Sequence, residues 1–218
     1  MSAKDYLDRL YRETGNQTAS IKKYYHDEKN FYDCVLIGVR IADRQKLVRT
    51  CRQRLESYIS QGLFNTADVG AFLCIIGYND PSVKTSFKDR FIDLCEKYLV
   101  EYDNKNPHCV RWCISICYML GEIFNDVCWY KRCLAYDFTE FHPTILTKQL
   151  SACKIMALRD KNVDFKKICE YGLSLVDKVR LFNYTEIFGT PGLRYDTGYK
   201  EMSAVLKLAQ ELCKILNA

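Results

Sequence analysis

Residues 106–133 read NPHCVRWCISICYMLGEIFNDVCWYKRC, and this stretch carries both tryptophans and five of the twelve cysteines. Asn106 can accept a hydrogen bond from the first turn of a helix. Pro107 suits the first helical position, where a missing N–H costs nothing. At 100° per residue, Arg111, Ser115 and Glu122 fall within an arc of roughly 40°. Nearly every other position to Phe124 is apolar or cysteine. A helix with one thin polar stripe is normally surrounded by other helices. Residues 107–124 are therefore expected at the centre of the fold.

Working outward, the same helical spacing recurs on both sides. Asp126 opens a helix to Tyr136, and His142–Pro143 opens another with Leu146, Leu150, Cys153 and Ala157 turned inward. Asp164 caps a run through Ile168, Cys169, Leu175, Val176 and Val179, and residues 202–216 close the chain with a further amphipathic helix. Upstream, Asp80–Pro81 starts a helix whose inner positions include Phe87, Phe91, Leu94, Cys95 and Tyr98. Asn65 or Thr66 starts a short apolar helix to Gly77. Asp43 can cap a helix with Leu47, Val48, Cys51, Leu55 and Ile59 inward, stopped by Gly62. Two more helices are read before it, near residues 2–15 and 21–41. The run CVLIGVRI at 34–41 could also be a buried strand, but a lone strand has nowhere to pair.

The reading is an all-α single domain over 1–218, with about nine or ten helices joined by short turns. Antiparallel helix pairs in the manner of HEAT or TPR arrays fit the lengths, as does a bundle wrapped round the helix at 107–124. Helix-starting prolines at 81, 107 and 143 are spaced too irregularly to define a repeat.

The chain has 218 residues, 48% of them hydrophobic, which is enough to bury one substantial core. No apolar run reaches bilayer-spanning length, so no membrane partner is expected. The N-terminus, MSAKDYLDRLYRE, is charged throughout and has no signal-like apolar stretch. Most cysteines occupy apolar helical positions, as reduced thiols do when used as small hydrophobes. A reducing compartment, cytoplasmic or nuclear, is the expectation.

The net charge is +5, and its distribution is uneven. Between Arg40 and Arg54 six basic residues face one acid, Asp43, so this window alone sums to +5 and the remainder to zero. Arg44, Lys46, Arg49, Arg52 and Arg54 make a candidate partner-binding face, suited to an acidic protein segment or to RNA phosphates. The absence of aromatic residues within 40–54 favours protein over RNA, because single-stranded RNA is usually held by base stacking.

A second candidate is the glycine-rich stretch FGTPGLRYDTGY at 188–199, read as a loop between the last two helices. Its Phe188, Arg194, Tyr195 and Tyr199 are side-chain types that anchor interfaces. The stretch either presents a contact surface or packs back over the last helices.

His108 with Cys109, Cys113 and Cys117 has the i, i+4, i+8 spacing of ligands on one helix, so a metal or small-molecule site there is an alternative. No CxxC turn supports it, and the neighbours are Trp, Ile, Met and Leu. His26, His108 and His142 are the three histidines, and none lies in a local catalytic signature. No GxSxG, HExxH, P-loop, GxGxxG or EF-hand pattern occurs, and no cofactor is implied. The functional expectation is an interaction or adaptor module. An apolar anchor of a partner would enter between helices while arginines meet an acidic flank.

Overall fold

A computed structural model describes residues 44–137, 143–180 and 194–217 of the chain. The helices expected before Arg44, the residue His142 and the stretch 181–193, which includes Phe188, lie outside the described residues.

Eight α-helices and one 3-10 turn make up the described fold, with no strand among these residues. In chain order they are α1 (Arg44–Ser60), α2 (Ala67–Asn79), the 3-10 turn (Pro81–Lys84) and α3 (Lys88–Glu101). Then come α4 (Pro107–Phe124), α5 (Val127–Leu134), α6 (Pro143–Arg159), α7 (Phe165–Arg180) and α8 (Arg194–Leu216).

The helix boundaries follow local chemistry. Gly62, at φ +70°, ends α1. Its N–H donates to the Ile59 carbonyl at 3.2 Å and that of Leu63 to Tyr58 at 2.9 Å, the paired bonds of a glycine-terminated helix. Asn106 accepts from the His108 N–H at 2.9 Å at the start of α4. Asp126 does the same for Cys128 at 2.9 Å in α5, and Asp164 for Lys166 at 3.1 Å in α7. α4 stops at Asn125, which takes the left-handed conformation at φ +53°.

Two boundaries differ from the sequence reading. Asp80–Pro81 begins only the 3-10 turn, which breaks at Thr85 (φ −136°, ψ −108°) before α3 resumes at Lys88. At the other end, α8 begins at Arg194, so Arg194, Tyr195, Gly198 and Tyr199 are helical rather than part of a loop. One glycine costs a helix about 1 kcal/mol. A 23-residue helix that packs on α6 and α7 along its later turns tolerates that.

Packing runs from one helix to the next. α1 lies on α2, α2 on α4, and α4 on both α5 and α6; α6 in turn carries α7 and α8. α2 and α4 approach closely because glycines face the partner helix. A Cβ added at Gly70 would overlap Trp112, and one at Gly77 would overlap Met119.

α4 is buried at Cys109, at every position from Trp112 to Cys117, and again from Met119 to Gly121. It is the middle of a first core formed by α1–α5. A second core, between α6, α7 and α8, was not anticipated. α6 belongs to both: Ile145, Ala152 and Met156 enter the first core, while Leu146, Leu150 and Cys153 enter the second. Among the described residues no helix is long and apolar enough to cross a membrane.

Candidate functional site

The polar stripe of α4 is the floor of a seam rather than an internal feature. Arg111, Ser115, Tyr118 and Glu122 are spaced by four, three and four residues and so share one face. α2 flanks that face on one side and α6 on the other. Glu122 is exposed, Arg111 and Tyr118 are half-buried, and Ser115 at the bottom is buried.

Side chains from the two walls close over this floor. From α6, the Lys148 ammonium donates to Ser115 Oγ at 2.7 Å. From α2, the Tyr78 hydroxyl donates to Glu122 Oε2 at 3.1 Å. Tyr118 lies beside both Ser151 of α6 and Glu122. The seam therefore has two ends. One is cationic, with Arg111 and Lys148 around Ser115. The other, about 10 Å along the helix axis at ~1.5 Å per residue, holds Glu122 with two phenols.

Burial dominates the ionisation of these groups. It pulls Lys148 below the ordinary lysine value, and the like charge of Arg111 acts in the same direction while Glu122 opposes it. Among the described residues no carboxylate lies within ion-pair distance of this ammonium. Tyr118 is pushed up to about 12, first by burial and then by Glu122, and Tyr78 is raised further by the same causes and by Cys74.

The predicted basic face fares differently. Arg52 turns inward: it pairs with Asp80 at 2.5 Å, donates to Ser82 Oγ at 2.8 Å and lies over the Phe87 ring with its guanidinium carbon 4.0 Å from the centroid. Arg54 is half-buried, whereas Arg49 is exposed. The exposed row of α1 is Gln45, Arg49, Gln53, Glu56 and Ser60, a mixed polar surface. Arg44 and Lys46 belong to the same helix. The sequence projection treated every arginine off the apolar stripe as solvated and could not see Asp80 arriving from beyond α2.

The central cysteines do not converge. Among the described residues no three His, Cys, Asp or Glu side chains are placed to hold one ion. Cys109, Cys113 and Cys117 are buried free thiols in the first core and its edge, and His108 is exposed at the start of α4. Burial pushes Cys74, Cys117 and Cys153 up to about 12 and Cys113 higher. Thiols held protonated in this way are poor nucleophiles and poor metal ligands.

Lys148, Tyr78, Tyr118 and Ser151 were missed by sequence reasoning. A signal existed for Lys148. It shares the i, i+3, i+7, i+11 register of Ile145, Ala152 and Met156, which places a lysine on a core-facing stripe. No protein-family model, curated protein or solved structure matches the chain.

Proposed function

We propose that the chain is an interaction module that recognises an extended, acidic segment of a partner protein in the seam over α4. This keeps the helical groove expected from sequence. It moves the cationic determinant from the 44–54 face to Arg111 and Lys148, and assigns no contact role to 188–199. The observation that carries the reading is the α4 stripe itself. A helix at the middle of a core carries four polar positions on one face between two flanking helices, buried at Ser115, half-buried at Arg111 and Tyr118 and exposed at Glu122, and the walls add hydrogen-bonding side chains. Helical arrays use such inter-helix furrows to hold extended peptides.

Charge supports an acidic occupant. Among the described residues, Lys148 and Arg111 bring positive charge to one end of the seam, and Glu122 at the other end accepts from Tyr78. Nucleic acid is less well served, because the exposed row of α1 is mixed in charge and Arg52 is tied to Asp80.

A photo-crosslinking amino acid at Tyr78, which is 48% exposed, tests the reading against the same group at Leu206 on the outer side of α8, 53% exposed. In cells of the source organism, the Tyr78 position is expected to give a discrete, nuclease-resistant protein adduct that Leu206 does not give. Equal labelling from both positions, or an adduct that nuclease removes, would overturn it.

A further inference from the structure

α7 and α8 each bring a cysteine to the edge of their mutual contact. The helices come close at Gly172, where an added Cβ would meet Leu212 Cδ1 of α8 at 2.7 Å and Cys153 Sγ of α6 at 3.3 Å. Lys154 of α6 pairs with Glu211 of α8 at 2.8 Å, so Cys153, Lys154, Gly172, Glu211 and Leu212 form one layer across the three helices. Cys169 stands one turn from this layer, about 4.5 Å along α7, and Cys213 follows Leu212 by one residue, about 1.5 Å along α8.

The flanks that carry them border the same contact. Tyr171 reaches α5 by donating to the Leu134 carbonyl at 3.4 Å, and Cys169 is about 200° from it around α7, turned away from α5. Glu211 reaches α6, and Cys213 is likewise about 200° from it around α8. α7 and α8 pack on each other as well as on α6. Cys169 is buried in the second core, while Cys213 is exposed at its rim. The two sulfurs sense each other: burial first, and then negative charge at Cys213, raise the Cys169 thiol above its ordinary value. Cys153, the other thiol on this side of α6, is buried and pushed up to about 12, which makes it the poorer partner.

We infer that Cys169 and Cys213 are the site of an intramolecular disulfide, formed when the protein meets a hydroperoxide, that joins α7 to α8. This does not rest on the seam being a recognition surface. Exposed Cys213 is oxidised first. Its thiolate attacks the outer peroxide oxygen and the O–O bond breaks. Cys213 becomes a sulfenic acid, and the departing oxygen takes a proton to leave as an alcohol, or as water from hydrogen peroxide. The Cys169 thiolate then attacks the Cys213 sulfur. The S–S bond forms, and the hydroxide released takes up a proton to leave as water. Two thiols lose two electrons in all, and the peroxide gains them. The order of events helps, because a neutral sulfenic acid no longer opposes ionisation of Cys169. A disulfide spans Cα atoms about 4.4–6.8 Å apart, within reach of bordering positions on helices that touch through a glycine. Closing the long loop between the two residues restricts the unfolded chain and so stabilises the second core, until a thiol reductant reopens it.

The test treats the full chain with hydrogen peroxide, alkylates the remaining thiols in denaturant and maps the non-reduced tryptic peptides by mass spectrometry. A Cys169–Cys213 linked peptide is expected in a monomeric protein, together with a higher urea midpoint that reductant returns to its starting value. Cys213→Ser should abolish the link and the midpoint shift while keeping the wild-type midpoint under reducing conditions, because the side chain is exposed. Cys169→Ala should leave Cys213 as a sulfenic acid that dimedone captures, a readout that needs no cross-link. Absence of the Cys169–Cys213 peptide from peroxide-treated wild type, a Cys213-linked dimer, or a Cys153–Cys169 peptide in its place would overturn the inference.

Discussion

Arg52 and Asp80 meet at 2.5 Å and so pin the middle of α1 to the turn that follows α2. Asp80 also accepts from the Ser82 N–H at 3.0 Å and from its hydroxyl at 2.7 Å, and its side chain is only 11% exposed. The pair is thus a joint between two helices, made with a residue that would otherwise be counted as surface charge. Arg52→Ala should destabilise the fold by about 1–2 kcal/mol, discounted because the arginine is itself part-exposed. Arg49→Ala, on the open row of α1, should stay within about 0.5 kcal/mol. Urea unfolding of the two variants measures both; equal values would remove the joint.

The glycines of α2 predict an asymmetry. Alanine at Gly70 would strike the Cβ of Trp112, which cannot rotate aside, whereas alanine at Gly77 would strike the end of the flexible Met119 side chain. Overpacking of a rigid contact costs typically 1–3 kcal/mol, while Gly→Ala in a helix returns about 1 kcal/mol of propensity. Gly70→Ala should therefore be clearly destabilising and Gly77→Ala close to neutral, judged by shifts in the urea midpoint. The reverse order would show that α2 and α4 are not spaced by Gly70.

Lys148 makes stability depend on pH with a definite sign. Its folded pKa lies below the unfolded lysine value, so the unfolded chain binds the proton more tightly. The destabilising effect is complete below the folded pKa and fades as pH rises through it toward ~10.4. Lys148→Met should gain most over wild type at neutral pH, and the gain should shrink as the solution becomes alkaline. Unfolding curves from pH 7 to about pH 10 check this; a gain that grows with pH would mean the ammonium is favourably paired.

Thiol reactivity tests the shielding of α4. A thiol with a pKa near 12 is about one part in 10,000 thiolate at pH 8, and nine of the eleven described cysteines are buried. In a Cys34→Ser background, maleimide on the native protein should modify the exposed Cys128 and Cys213 first. Cys113 and Cys117 should react only on unfolding, as mass spectrometry of timed digests would record. Early modification of Cys117 would place the floor of the first core in contact with solvent.

Features decided within a few residues were legible in the sequence. Asn106, Asp126 and Asp164 cap the helices that their positions suggested, Gly62 ends α1, and the spacing of apolar residues identified an all-α fold. Features that depend on distant parts of the chain were not. Nothing near Arg52 points to Asp80, and the stripe at 111, 115 and 122 does not say whether water or another helix lies opposite. The inward face of α6 was read only from Leu146, Leu150, Cys153 and Ala157, because a helix with two apolar stripes loses the one-sided pattern by which a core face is recognised. That is why Lys148 was not singled out.

The double membership of α6 has a consequence for how the chain is made. A nascent chain that has emerged only as far as Asp137 lacks Ile145, Ala152 and Met156, so its first core is open on one side and its apolar wall faces solvent or a chaperone. Closing that wall also sets out the platform on which α7 and α8 settle. Synthesis of a single helix thereby ends the vulnerable period of one half and begins the assembly of the other.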